Sequence, residues 1–567
     1  MTKVLVIGGG GVFGAHLVAG LVAAGFEVVI AGRRLERLAP LAARLGERVT
    51  AVGLDTATVS PAGLQATGAA IVVDAAGPFQ GAEPRVARAT IAAGLHYVDL
   101  ADARDFVAAF PVLDEDARRA GVVALTGCSS TPALSNAVLD DLTRGWTEIV
   151  SVEAGISPGA RAPRGLSVMQ ATLSWLGRPV RVFEDGGWTV RPGWSGLHRR
   201  DMGRGGRRWL SLSETPDLDL FVERFRPRRS ARFLAGLQPS VAHLATWMLG
   251  RVVRLGLLDP RGFPGALLSL GRLFSWSGDD RGAMRISAYG RDAQGRAAMA
   301  SWRLVAEPGE GPVTPSLPAL AAIKAIAAGR VTPGARACVG LLSLDALETE
   351  IAAHPIATER ITTRGALFAR AIGADFDRLP QAIRDLHETP GDSLWRGEAD
   401  VVGAEGPVAR LIARLFGFPG TRQRCPVTVA VSADGDRSLW RRTMGDALFS
   451  SMLEKPRPGG RVTERFGLLA FDLILTPSPT GLRYDVGGWR IGPIRLPPAL
   501  APRTTTSEQV DAEGRFVFDV DLGLPWGDRL VHYRGWLTRD ATGAGPEQCP
   551  MPVARRSGRA VLSDRPR

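Results

Sequence analysis

The sequence predicts an α/β domain with a doubly wound parallel sheet over residues 1–130. An α+β domain follows over 131–360, and a β-rich domain over 375–540. Three observations carry this reading. Six short apolar runs alternate with Ala/Leu/Arg segments of helical spacing as far as residue 128. A glycine cluster stands directly between the first run and the first helical segment. Beyond about residue 378 the texture changes to alternating apolar and polar residues punctuated by turn formers.

The apolar runs are 4–7, 28–31, 49–52, 70–73, 97–100 and 122–125, and segments such as 15–24 and 35–45 have helical spacing. Short continuous apolar strands belong to sheets covered on both faces, and intervening helices make parallel crossovers. Past residue 148 this regularity is lost. Segment 148–156 reads as a strand, 284–289 and 297–305 as a hairpin around Asp292-Ala293-Gln294-Gly295, and 315–328 as a helix. The boundary to the third region falls at 357–378. There, strands are predicted at 425–432, 468–476, 482–486, 515–522 and 530–537, with a turn at Asp434-Gly435 and short helices near 379–386 and 407–416. This is the pattern of a curved antiparallel sheet or partial barrel. Residues 541–567 are polar, rich in Pro and Arg, and read as a frayed tail.

Composition narrows the function classes. Net charge is +12, yet only Lys3, Lys324 and Lys455 among the 69 basic residues are lysines. With abundant Ala and Gly, this arginine bias reads as codon composition. No nucleic-acid motif accompanies it, so no nucleic-acid partner is expected. The four cysteines, Cys128, Cys338, Cys425 and Cys549, are far apart. Neither a disulfide framework nor a metal site is expected, which fits a reducing, cytoplasmic setting. The N-terminal apolar run breaks at glycines and reads as a strand, not a signal peptide. No uninterrupted apolar stretch is long enough to span a membrane.

The strongest motif is Gly8-Gly9-Gly10-Gly11-Val12-Phe13-Gly14. It holds G-x-G-x-x-G at Gly9, Gly11 and Gly14, after a strand and opening a helix, the context of a dinucleotide-binding Rossmann domain. Gly9 is assigned to the tight turn, Gly11 to close approach of a pyrophosphate and Gly14 to helix–sheet packing. Gly8, Val12 and Phe13 complete the loop, and the helix N-terminus offers unbonded N–H groups. The second strand ends Ala31-Gly32-Arg33-Arg34. An Asp or Glu there accepts ribose hydroxyls; two arginines instead suit a 2′-phosphate. NADP is therefore expected in preference to NAD. Asp55 is a candidate adenine contact or a turn cap. Ala75, Ala76 and Gly77 leave room for the nicotinamide ribose. Asp99, Asp102, Cys128 and Ser129, at strand ends facing the ligand crevice, are weak substrate-site candidates. Helix capping is the competing role of Asp99 and Asp102, and a small buried residue that of Cys128. G-x-S-x-G and a Tyr-x-x-x-Lys pair are both absent, and the histidines are scattered, so no catalytic acid or base is assigned.

Segment 233–276 is basic and amphipathic. Within 240–258, Val241, Leu244, Met248, Val252 and Leu255 share one face, with His243, Gly250 and Arg254 opposite. A second apolar stretch, 263–276, follows Asp259-Pro260. The segment reads as core or a homodimer contact, as a cover for a greasy substrate, or as a membrane-surface helix.

Residues 7–14, 31–33, 73–79, 96–100 and 127–132 resemble the saccharopine-dehydrogenase-like oxidoreductase family. The resemblance runs to about residue 355 and includes Gly290-Arg291-Asp292, Gly295 and the helix after Pro315. It implies an NADP- or NAD-binding half followed by an α+β substrate or dimer domain. The amino-acid enzymes of that family use a Lys and His near the nicotinamide; Lys3 is the one lysine of the first 130 residues, so no such pair is evident. About 375–540 resembles a domain of unknown function that often follows such reductase domains, through Gly397-Glu398-Ala399-Asp400, 415–419, 464–467 and Tyr533-Arg534-Gly535-Trp536-Leu537. Arg465, Trp489 and Trp536 either line a cavity there or fill the core. The function expected is an NADP(H)-dependent oxidoreductase reducing a carbonyl, imine or activated alkene of an apolar, lipid-like small molecule. The alternative is a non-catalytic NADP-binding sensor or scaffold whose C-terminal domain binds a lipid or protein partner.

Overall fold

A computed structural model describes residues 2–163, 173–257, 278–388, 392–434 and 437–540. The predicted stretch 263–276, the turn residue Gly435 and the tail 541–567 lie outside the described residues. The chain divides into two compact units, 1–364 and 365–567.

The first unit begins with strands β1 (Lys3–Ile7), β2 (Glu27–Gly32), β3 (Val49–Gly53), β4 (Ile71–Asp74), β5 (His96–Asp99) and β6 (Val123–Thr126). Each lies within one residue of its predicted apolar run. They are parallel, in the order β6-β5-β4-β1-β2-β3. Both faces are covered. Val4, Val6, Ile30, Val73 and Val98 enter one core cluster; Leu5, Ile7, Val29, Val72 and Tyr97 enter another. This is why the strand sequences do not alternate.

A seventh strand, Gly334–Ala337, pairs in parallel with β6 at the sheet edge. Its sequence, Gly-Ala-Arg-Ala, has no apolar run, and the pattern did not predict it. Backbone bonds hold it: Gly334 N–H donates to the Val122 carbonyl, and Cys338 N–H to that of Thr126.

The second sheet has nine strands and is mixed. Glu148–Ser157, Gly282–Arg291, Ala297–Ala306 and Ile356–Arg364 run antiparallel, and Ser230–Ala235 joins parallel to the first of these. The predicted hairpin is present. Its turn is closed by Asp292, whose Oδ1 accepts from Gln294 N–H and Arg296 N–H, and by Gly295 at φ +74°. Helix Leu317–Ala327 is apolar around its circumference and buried over nearly its whole length. With Ser135–Leu142 it lies in a core cluster that includes residues of both sheets, so the first 364 residues pack around shared apolar surface.

The second unit is built on an eleven-stranded antiparallel sheet. Asp392–Val402 pairs with the last strand, Arg529–Arg539, and Leu469–Ser478 pairs with Gly481–Ile491, so ten of the strands close on themselves. The result is a closed barrel, sharper than the predicted curved sheet or partial barrel. Closure removes the exposed sheet edges that a partial barrel would leave. Strands such as Arg437–Met444 and Arg461–Phe466 escaped prediction because arginines interrupt their alternation. Helix Pro407–Phe416 falls where predicted. Helices Leu367–Ile372 and Gln381–His387 contribute Phe368, Ile383 and Leu386 to the barrel's core cluster.

Candidate cofactor and active site

The glycine loop joins β1 to helix α1 (Val12–Ala23). Gly8 alone of Gly8–Gly14 has a left-handed backbone, φ +78°. The turn conformation is therefore carried by Gly8, not by Gly9 as the spacing implied. Gly9 is small for another reason: a Cβ there would lie 2.9 Å from the Ile30 side chain. Gly8 N–H donates to the Ala31 carbonyl, and Gly11 N–H to that of Gly8. A Cβ on Gly14 would lie 2.3 Å from the Gly8 carbonyl oxygen, so α1 approaches the loop as closely as glycine permits. The first turn of a helix has N–H groups with no acceptor four residues earlier, here those of Val12, Phe13 and Gly14. The Ala75 carbonyl packs 2.8 Å from where a Gly8 Cβ would be, which brings Ala75, Ala76 and Gly77 beside the loop.

Arg33 and Arg34 are exposed where β2 ends, and neither pairs with a carboxylate among the described residues. Asp55 is exposed, and its Oδ1 accepts from Ala57 N–H, so it forms the turn after β3. Asp74 is buried; its Oδ1 accepts from Ala76 N–H, and burial raises its pKa to about 6.

The crevice candidates divide. Asp99 is fully buried, not open to a substrate. Its Oδ1 accepts from Ala101 N–H (2.9 Å), Gly127 N–H (2.7 Å) and Thr126 Oγ1 (3.0 Å), tying β5 to β6. Desolvation raises its pKa to about 7. Cys128 is also fully buried, and burial, followed by neighbouring Cys338, pushes its thiol well above its usual value. Such a thiol is a poor nucleophile. Ser129 is nearly buried; Asp102 is exposed and accepts from Gln80 Nε2.

Two buried polar networks were not legible in the sequence pattern. Asp217 is fully buried and accepts from Thr131 Oγ1, Ser135 Oγ and Asn136 Nδ2 at 2.7–3.0 Å; desolvation raises its pKa to about 7. Arg104 is buried and donates to Asp219 and Glu214, and desolvation raises Glu214 to about 7. The partners lie 81–115 residues apart. The acidic run Glu214-Thr-Pro-Asp217 at a helix start was the available signal.

Ser211 and His243, a buried Ser–His pair 3.1 Å apart, form no hydrolytic dyad. Leu237 N–H approaches His243 Nδ1 at 3.4 Å, so Nε2 carries the proton and donates to Ser211 Oγ, which in turn donates to the Gly196 carbonyl. Burial lowers His243 to about pKa 4, keeping it neutral. Among the described residues no cluster of metal-ligating side chains occurs.

Helix Ser240–Arg254 turns its apolar stripe outward, which removes core from the readings of this segment. His243 and Gly250 face the protein, whereas Val241, Leu244, Met248 and Leu255 are exposed. Gly250 is small because Leu176 would lie 3.1 Å from its Cβ. The described apolar face is therefore not core.

Topology and glycine loop are those of a dinucleotide-binding Rossmann domain, and sequence comparison agrees with an NADP-binding domain at the N-terminus. Residues 4–139 match the saccharopine dehydrogenase NADP binding domain, and 379–537 match a domain of unknown function, DUF4166. No curated protein matches the chain. Apo saccharopine dehydrogenase (L-Glu forming) from Saccharomyces cerevisiae is similar at 16% identity, over 64% of this chain and 100% of that one, with a TM-score of 0.48. Gre2 of Candida albicans in complex with NADPH is similar at 19% identity over 18% of this chain and 36% of that one, TM-score 0.16. 3-Hydroxyacyl-CoA dehydrogenase type-2 from Mycobacterium avium gives 22% identity over 22% and 71%, TM-score 0.19. No helix among the described residues is long and apolar enough to cross a membrane.

Proposed function

We propose that the first unit binds NADPH and delivers hydride to a carbonyl, imine or activated alkene of an apolar small molecule. The observation that carries the cofactor choice is the pair of exposed arginines, unpaired among the described residues, at the end of β2. Arg33 and Arg34 would hold the 2′-phosphate, the N–H groups of residues 11–14 the pyrophosphate, and the 75–77 strand exit the nicotinamide ribose. The cofactor supplies the hydride; the protein supplies orientation and electrostatics. Asp99 acts through the backbone: by anchoring Gly127 and Ala101 it sets the floor of the crevice. The test is NADPH oxidation, followed at the nicotinamide absorbance, against enones, ketones and imines, with NADPH and NADH affinities compared in Arg33→Asp/Arg34→Asp. Loss of the NADPH preference supports the assignment; an unchanged preference refutes it.

A second reading, an NADP-dependent sensor, is favoured by the engagement of Asp74, Asp99 and Asp217 in internal hydrogen bonds. Tight NADPH binding without turnover on any of the substrates distinguishes it. The exposed Val241/Leu244/Met248/Leu255 face, bordered by Arg251 and Arg254, supports peripheral contact with an anionic membrane.

A further inference from the structure

The C-terminal barrel carries a cleft of about 420 Å³ whose lining is strongly cationic. Lys455, Arg457, Arg461, Arg490 and Arg495 face it, with Asp472 the single carboxylate among the lining residues. Asp472 is already engaged: Thr463 Oγ1 donates to it at 2.8 Å and Arg490 Nη1 at 3.3 Å. Arg490 Nη2 is buried and has no hydrogen-bond partner. Arg457, Arg461 and Arg495 pair with no carboxylate among the described residues.

The backbone is shaped to make this concavity. Arg457 and Arg461 stand directly opposite each other on paired strands, an arrangement of like charges that destabilises a sheet unless an anion lies between them. The register slips between Glu454 and Arg457, where Lys455 takes φ +57°, and again between Asp472 and Leu473 opposite Gly487. Irregularities of this kind re-aim side chains next to functional sites. Trp489 forms an apolar wall. Its ring lies parallel to Phe471 at 6.4 Å, and its Nε1 donates to the Pro497 carbonyl. Of the three residues weighed as cavity lining, Trp489 lines this cleft, whereas Arg465 pairs with Glu454 and Trp536 lies under Arg515.

We propose that this cleft binds a small anion bearing a phosphoryl group. An unpaired buried guanidinium N–H, two opposed arginines and a third at the rim suit the fork geometry with which Arg grips phosphate oxygens. The volume is that of a small-molecule site. The site belongs wholly to the barrel and does not rest on the cofactor reading of the first unit.

The test is calorimetric titration of inorganic pyrophosphate into the full chain saturated with NADPH, so that the glycine loop does not compete. Two variants accompany it. Arg457→Glu/Arg461→Glu reverses the exposed charges. Gly488→Phe fills the cleft from a lining position where an added Cβ meets nothing within 4 Å. Each variant is expected to weaken pyrophosphate by at least about tenfold, since each removes or blocks charge-assisted bonds. NADPH affinity should be unchanged. Sedimentation with phosphatidylcholine vesicles, with and without phosphatidic acid, assigns the source of the phosphate when it is read in a Val241→Asp/Met248→Asp background, which removes the exposed helix face of the first unit as a competing membrane contact. Co-sedimentation lost in both variants identifies a lipid headgroup; calorimetric binding without co-sedimentation identifies a soluble ligand. Wild-type affinity retained in both variants, or no binding of either probe by the wild type, overturns the proposal.

Discussion

Substituting Gly14 by Ala isolates the closest contact in the nucleotide loop. The new Cβ would stand 2.3 Å from the Gly8 carbonyl oxygen, 2.9 Å from its carbon and 3.0 Å from Gly9 Cα. The shortest of these is roughly 1 Å inside van der Waals contact. All three atoms are backbone, so relief requires α1 to move away from the loop. Overpacking of this kind costs about 1–3 kcal/mol. For a unit of 364 residues that corresponds to a fall in Tm of roughly 1–4 °C. The shift also displaces the first-turn N–H groups from the pyrophosphate position, and a loss of about 1.4 kcal/mol there is a tenfold rise in Kd for NADPH. Gly11→Ala is the control: its Cβ would sit 3.1 Å from the same oxygen, so stability should change little while affinity falls. Thermal melts with and without NADPH, together with fluorescence titration, read both effects. An unchanged Tm and Kd in Gly14→Ala would show that α1 does not rest on Gly8 as described.

Three further outcomes are expected. Asp99 and Asp217 hold their protons up to about pH 7 in the folded chain, far above the ordinary carboxylate value of 3.8. Between these values the folded state binds protons that the unfolded state has released, so their contribution to stability is complete at low pH and disappears as pH rises through about 7. Asp99→Asn should flatten that part of the Tm–pH profile, and an unaltered slope would contradict the buried, protonated carboxyl. In the barrel, Glu508 accepts from Tyr484 OH and bonds His387 Nε2, both at 2.7 Å. Glu508→Ala leaves both groups buried without that acceptor and should destabilise the second unit by about 2–5 kcal/mol in denaturant unfolding; a change within error would remove the network from the barrel's stability. Met248→Asp and Val241→Asp, on the exposed helix face, should leave Tm nearly unchanged yet reduce co-sedimentation with anionic vesicles, whereas undiminished sedimentation would exclude this face from membrane contact.

Local chemistry in the sequence was enough for the parallel sheet and its glycine loop. Two-sided burial leaves uninterrupted apolar runs, as in β1 and β4, and a helix docked on a loop leaves glycine at Gly14. The arginines after β2 were legible for the same reason: position along one strand places them. Tertiary structure decided what depends on partners distant in sequence. The strand Gly334–Ala337 is held by backbone bonds to β6, which no side-chain pattern announces. Asp99 looked like a crevice residue by its place at a strand end, but three donors from β6 and its own turn draw it inward. The 240–254 helix shows an apolar stripe that ordinarily marks the core, yet it buries the small and polar face bearing His243 and Gly250. Closure of the barrel likewise depends on the first and last strands meeting across more than a hundred residues, and with it the cationic cleft that individual arginines did not reveal. Periodicity reports which face of an element is apolar; only the packed chain determines what that face meets.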